Sequence, residues 1–145
     1  MIRTVLVMAA VAIGVSAVVA QTDPIAQRKD MMKQTNKYAK AVNAMVRGEA
    51  PFTSETVAAA YATWDKTASE YGKLFPENSK TGGKTRAKAA IWEKRKDFDA
   101  KLAAFGKAVA DGKPKAGTLD GLKASWAAIG KACDNCHEPY RMPKK

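Results

Sequence analysis

Val57, Tyr61, Trp64, Ala68, Tyr71 and Phe75 follow one another at intervals that alternate between four and three residues. That alternation keeps every one of them on one side of an α-helix, and a strand, with its period of two, cannot accommodate it. The spacing predicts a helix that starts at Thr53 or Ser54, both good caps, and is stopped by Pro76. Three more stretches carry the same signal. The first runs from Pro24 to Arg47 with Ile25, Met32, Ala39, Val42 and Val46 along it, and Gly48 and Pro51 end it. The third runs from about Arg86 to Asp111 with Ile91, Phe98, Leu102, Phe105 and Val109; Gly106 weakens it slightly, and Gly112-Lys113-Pro114 closes it. The fourth opens near Thr118 and carries Leu119, Leu122, Trp126, Ile129, Cys133, Cys136 and Tyr140. No alternating segment is long enough for a strand. Four amphipathic helices with short connections imply an all-α fold, an antiparallel four-helix bundle in one domain. Tyr61, Trp64, Phe98, Phe105 and Trp126 are its expected core aromatics.

The chain of 145 residues has room for that domain and a targeting segment. Arg3 followed by the uncharged apolar stretch Val5 to Val15, with small or β-branched residues up to Ala20, reads as an export signal over residues 1–20. Cleavage is expected after Ala20, with Ala17 as the second site, leaving 21–145 as the mature domain. The apolar stretch is short for a membrane span, and the polar Gln21-Thr22-Asp23-Pro24 follows at once. Removing the signal takes away Arg3 alone, so 24 basic residues face 14 acidic ones and the mature charge is +10. Such a chain suits anionic partners, most simply an acidic protein face. Nucleic acid is the weakest candidate, because no basic stretch is interleaved with stacking aromatics.

Both cysteines and the sole histidine fall within five residues, in Cys133-Asp134-Asn135-Cys136-His137. Cys-x-x-Cys-His is the attachment signature of a c-type haem. Two thiols three residues apart on a helix face the same way and can add to the two vinyl groups on one porphyrin edge; the next side chain can ligate the iron. A disulfide across four helical residues is sterically poor. A thioredoxin-like pair needs a strand-to-helix junction, and a zinc site needs a fourth ligand that only a carboxylate could supply.

The motif lies eight residues from the C-terminus, on the last helix. With Arg28-x-x-x-Met32, the turn Arg47-Gly48-Glu49-Ala50-Pro51-Phe52, Ile91-Trp92, and Tyr140-Arg141 after the motif, the mature chain resembles the cytochrome c prime family throughout, closer to its low-spin, methionine-ligated c-556 type members. That family is among the known four-helix bundles. The resemblance implies one haem c per chain, held by two thioethers near the end of the last helix, with His137 on the proximal side. It implies Arg28 beside a propionate and Met32 toward the distal side of the iron, either as a sixth ligand or as a wall of the pocket. On its residues alone Met32 reads first as core filling, and Met31 is turned away by about 100°. Arg141 is a second candidate for a propionate, or part of a basic tail. Pro139 departs from a continuous helix: it should end or kink the segment just past His137 and tilt Tyr140 and Arg141 away.

The expected function is electron transfer through a His/Met-ligated iron in the periplasm, with an acidic redox partner, no catalysis beyond redox exchange and no membrane span after signal cleavage. The alternative is a five-coordinate iron that binds nitric oxide or carbon monoxide; a structural, haem-free dithiol protein is the third reading. Family members often dimerise through the first two helices, where Met45 and Val46 are candidate contacts, although core burial explains them as well.

Overall fold

The structure, a computed structural model, describes residues 23–143; the expected signal over 1–20 lies outside them. Four long helices carry the fold: α1 (Pro24–Val46), α2 (Ser54–Glu70), α4 (Arg95–Gly112) and α5 (Leu119–Tyr140), with the single turn α3 (Ala90–Glu93) leading into α4. Asp23 caps α1 by accepting the Ile25 N–H at 2.8 Å, with Pro24 at the first helical position, where its missing N–H costs nothing. Gly48, at φ +73, turns the chain out of α1. Thr53 holds the cap position of α2, but its hydroxyl makes no capping bond and is buried without a partner. Thr118 caps α5 through the Gly121 N–H.

The α1–α2 and α4–α5 links are short, whereas the connection from α2 to α4 runs over residues 71–94 and departs from the short link expected there; α1 packs on α2, α2 on α4, α4 on α5 and α5 back on α1. The bundle is thus a closed ring of four helices, as the periodicity predicts. Among the described residues there is no strand, and none of the helices is long and apolar enough to cross a membrane.

Two apolar clusters fill the interior. The larger holds Val42, Tyr61, Trp64, Phe105, Val109, Leu122 and Ile129. The smaller holds Phe75, Ile91, Phe98 and Tyr140, its rings edge to face at 5.0 Å (Phe75–Phe98) and 5.4 Å (Phe98–Tyr140). The expected core aromatics take these places, with Trp126 half-buried and stacked on Trp64 at 5.8 Å. Met45 is buried in the larger cluster, so core packing accounts for it.

The third predicted helix needs a correction. The chain from Arg86 to Ala89 is not helical, because its backbone pairs with the C-terminal end: Lys88 N–H donates to Tyr140 O and Met142 N–H to Arg86 O, around an isolated bridge between Ala87 and Arg141. Regular helix begins only after Lys94, whose φ −118° and ψ 46° break α3 from α4. The second predicted helix likewise tightens into a 3-10 turn over Tyr71–Leu74 before Pro76. Pro139 sits inside α5, which continues to Tyr140 and then turns extended at Arg141. The helix ends there, yet Tyr140 is not tilted away: it is 3% exposed and its hydroxyl donates to the Asp97 carboxylate of α4.

Candidate haem site

Cys133, Cys136 and His137 lie on the last two turns of α5, all half-buried. Cys133 packs against the larger apolar cluster and Cys136 against the smaller, so the motif stands where the two cores meet. Both thiols are unpaired, and the motif lies inside a helix rather than at a strand-to-helix junction. Burial, reinforced by Asp134 and Cys136, pushes the Cys133 thiol up to about 11; burial also raises Cys136. Both are therefore neutral thiols at ordinary pH. His137 is shifted down by burial first and by Arg141 next, against the opposing pull of Asp134. Its imidazole is thus held in the neutral form that can ligate a metal.

Met32 is placed on α1 by the same alternating pattern that builds the core. Ile25, Arg28, Met32, Thr35, Ala39 and Val42 follow at three- and four-residue steps, and Ile25, Arg28, Thr35 and Val42 are buried. Met32 is only half-buried, as are Cys133, Cys136 and His137 on the stripe of α5. Both stripes open in the same part of the molecule. Trp126 Nε1 donates to Asn43 Oδ1 at 3.3 Å across the antiparallel α1–α5 seam. Met32 lies eleven residues before Asn43, and His137 eleven residues after Trp126. Eleven residues make just over three full turns and a rise of about 16 Å. On helical geometry Met32 therefore shares a face with Asn43 and His137 shares a face with Trp126, each displaced from that bond toward the same end of the bundle.

Arg28, one turn before Met32, is 2% exposed. Nη1 donates to Leu74 O and to Ser79 Oγ at 2.9 Å; Nη2 donates to Ser79 O and Thr85 Oγ1, each at 2.8 Å. The guanidinium also lies over the Phe75 ring at 4.8 Å and near Trp92 at 5.7 Å. Burial lowers its pKa, with Tyr71 and then Asp23 opposing, and the group stays a cation. Every direct acceptor is neutral, and among the described residues no carboxylate comes within ion-pair distance. A buried cation without a counter-anion is costly, and an acidic group on a bound cofactor would relieve it. The two thiols, the neutral imidazole, the half-buried motif residues and this unbalanced cation all fit a propionate-bearing haem.

Arg141 is exposed, and it and Arg28 both lie within electrostatic reach of the Tyr71 hydroxyl. It borders an open groove of about 800 Å³ on the outer side of α5, with Arg86, Lys88, Asp134, His137 and Glu138. Sequence reasoning missed the Leu74–Thr85 cradle of Arg28, the Asp97 partner of Tyr140 and the Asn43–Trp126 bond. Only Arg28 left a trace in the sequence, as a charge on an otherwise apolar or small-residue stripe.

Known proteins share both the sequence and the fold. The family model described as Cytochrome C' matches residues 23–141. Cytochrome c-556 of Rhodopseudomonas palustris is 39% identical over 97% of this chain and 97% of its own. A cytochrome c' of the same organism is 38% identical over 99% of this chain and 98% of its own. Among solved structures, cytochrome c' from R. palustris superposes with a TM-score of 0.81 at 35% identity, covering 86% of this chain and 100% of that one. An NMR-validated structural model of oxidised R. palustris cytochrome c556 gives 0.78 at 36%, with the same coverage.

Proposed function

The chain belongs to the cytochrome c' family, and on that footing we propose that it is a periplasmic electron carrier with one haem c, joined to Cys133 and Cys136 by thioethers and ligated by His137 and Met32. When bound, haem c supplies a one-electron iron couple. The protein's own residues do the rest. Cys133 and Cys136 hold one edge of the group at the junction of the two cores. His137 offers a neutral nitrogen. Arg28, fixed from four sides, presents a buried positive charge to a propionate, with exposed Arg141 as a second cation at the rim. Met32 would supply a second iron ligand, which would leave no coordination position for a substrate, and no turnover beyond electron exchange is expected. Its thioether favours the ferrous state and raises the potential.

The observation that most supports this reading is the Asn43–Trp126 bond between α1 and α5, from which Met32 and His137 each lie eleven residues away toward the same end of the bundle. The family and the name of the cytochrome c-556 relative support electron transfer in the same direction.

The test is the absorption spectrum of the matured protein, oxidised and reduced, with and without carbon monoxide. Sharp reduced bands that carbon monoxide leaves unchanged are expected, and Met32→Ala should convert them to a broad, carbon-monoxide-sensitive spectrum. A parent protein that already shifts with carbon monoxide would replace this reading with a five-coordinate gas-binding cytochrome. The half-exposed setting of Met32 and the 38% identical cytochrome c' keep that second reading in play.

A further inference from the structure

Lys29, Lys33, Lys37 and Lys40 are all exposed and all on α1. At 100° per residue they fall within an arc of about 80°, opposite the buried stripe, and span about 16 Å along the axis. Asp30, the one carboxylate of α1, lines the groove between α1 and α2 instead. Seven ion pairs form among the described residues, through Arg47, Lys66, Lys80, Arg95, Lys101, Lys107 and Lys113, and none uses these four lysines. Lys29 Nζ donates to the neutral Gly83 O, and Lys37 Nζ lies 5.5 Å from the centre of the Tyr38 ring. α1 therefore presents a ridge of four lysines along one side, none of them ion-paired among the described residues, with Asp30 as the one carboxylate of the helix near them.

The ridge is also well placed. Lys29 and Lys33 flank Met32 in sequence, and Lys29, Lys33 and Lys40 lie on the side of α1 nearer the line through Met32 and Asn43, the line that borders α5. A partner seated there would sit over the distal edge of the proposed haem site. We infer that the Lys29–Lys33–Lys37–Lys40 ridge is the docking surface for an acidic redox protein; this deepens the electron-carrier reading and rests on it. A membrane surface fits less well. Interfacial binding calls for apolar side chains that insert beside the basic ones, and the sole large exposed hydrophobic among the described residues, Met142, follows the end of α5. Long-range charge steers encounter and sets the approach, and salt weakens it.

The experiment uses the haem-loaded protein and an acidic plant-type [2Fe–2S] ferredoxin as electron donor, mixed by stopped flow. Reversing the ridge (K29E, K33E, K37E and K40E together) should slow haem reduction at least tenfold at low ionic strength, with little difference left at about 0.5 M salt. The same four lysines should show the amide shifts when oxidised ferredoxin is titrated into labelled protein. A control with equal charge change elsewhere (K73E, K96E, K115E and K131E) should slow reduction far less. Equal slowing in both variants means a net-charge effect and overturns the proposal, as does capture by anionic phosphatidylglycerol vesicles through the ridge without any effect on the ferredoxin rate. Dithionite separates the two levels of the argument. If it reduces every variant to the same spectrum while the ridge has no influence, the docking surface fails and the electron carrier stands. If the parent is not reversibly reduced at all, the carrier reading itself fails.

Discussion

Trp126 and Asn43 join α5 to α1 through a single hydrogen bond, the indole N–H donating to the amide oxygen at 3.3 Å. The bond ties the two helices together at this point, with Met32 eleven residues before Asn43 and His137 eleven residues after Trp126. Asn43→Ala leaves a half-buried indole N–H without its acceptor and should cost about 1 kcal/mol. Thermal unfolding of the loaded protein reads that loss directly. If the same bond keeps Met32 on the iron, the reduced variant should also bind carbon monoxide more tightly than the parent, while Asn36→Ala, at an exposed site on α1, should not.

Arg28 makes a larger prediction. Its guanidinium serves Leu74 O, Ser79 O, Ser79 Oγ and Thr85 Oγ1 at once, and so ties the whole connection between α2 and α3 to the start of α1. Gly83 belongs to the same contact: at φ +54, a Cβ there would stand 2.8 Å from the Ile25 side chain. Arg28→Met keeps the length and apolar stem but strands buried acceptors, and a loss of roughly 3 kcal/mol follows. Urea denaturation measures it, and hydrogen exchange should show residues 74–85 losing protection first. Arg28→Lys should recover only part of it, because one ammonium cannot span acceptors that a planar fork reaches from two nitrogens.

The contrast between α1 and the approach to α4 shows what a sequence can carry. Helix α1 was legible because three- and four-residue steps repeat for six turns, and even Arg28 falls on the stripe; a charge at a core position signals a special environment. Its acceptors were not legible, since two are backbone carbonyls and all lie 46 to 57 residues away in a loop without periodicity. The stretch from Arg86 to Ala89 looked helical by composition, yet its hydrogen bonds go to Tyr140 and Arg86's own pairing with Met142. That choice depends on where the C-terminus comes to rest, a tertiary fact that local pattern does not encode. The attachment motif was legible in full because its chemistry is local: three side chains within five residues. Met32 was legible as a stripe residue, whereas the bond that joins α1 to α5, between Asn43 and Trp126, left no local signal.

Gly112 closes α4 beside Tyr61 of α2 and Ser125 of α5. A Cβ there would stand 2.8 Å from Tyr61 Oη and 2.8 Å from Ser125 Cβ, so the helices can approach this closely only over a residue with no side chain. Gly112→Ala gains helix propensity but must push two buried neighbours apart, and overpacking of this kind costs about 1–3 kcal/mol. The expected result is a lower denaturation midpoint with an unchanged slope. Gly130→Ala is the control: a Cβ there meets nothing within 4 Å, so propensity alone acts and the variant should be as stable as the parent or slightly more stable.

The hydroxyl that Gly112 makes room for also sets an alkaline limit. Tyr61 is 2% exposed, and its oxygen lies 2.9 Å from Ser125 Oγ. Burial raises its pKa above the usual 10, with the Ser125 bond pulling part of the way back. The folded pKa therefore exceeds the unfolded one. The stabilisation is complete below about pH 10, where both states hold the proton, and it is lost as the pH climbs from there through the folded value. Tyr61→Phe removes this titration and the bond to Ser125 together. The variant should be about 1 kcal/mol less stable than the parent at pH 7. The gap should narrow above pH 10, as the parent loses what the variant no longer has. Urea midpoints for both proteins at pH 7, 9 and 11 check this. A gap that stays constant to pH 11 would mean that Tyr61 ionises no differently in the fold than in the unfolded chain.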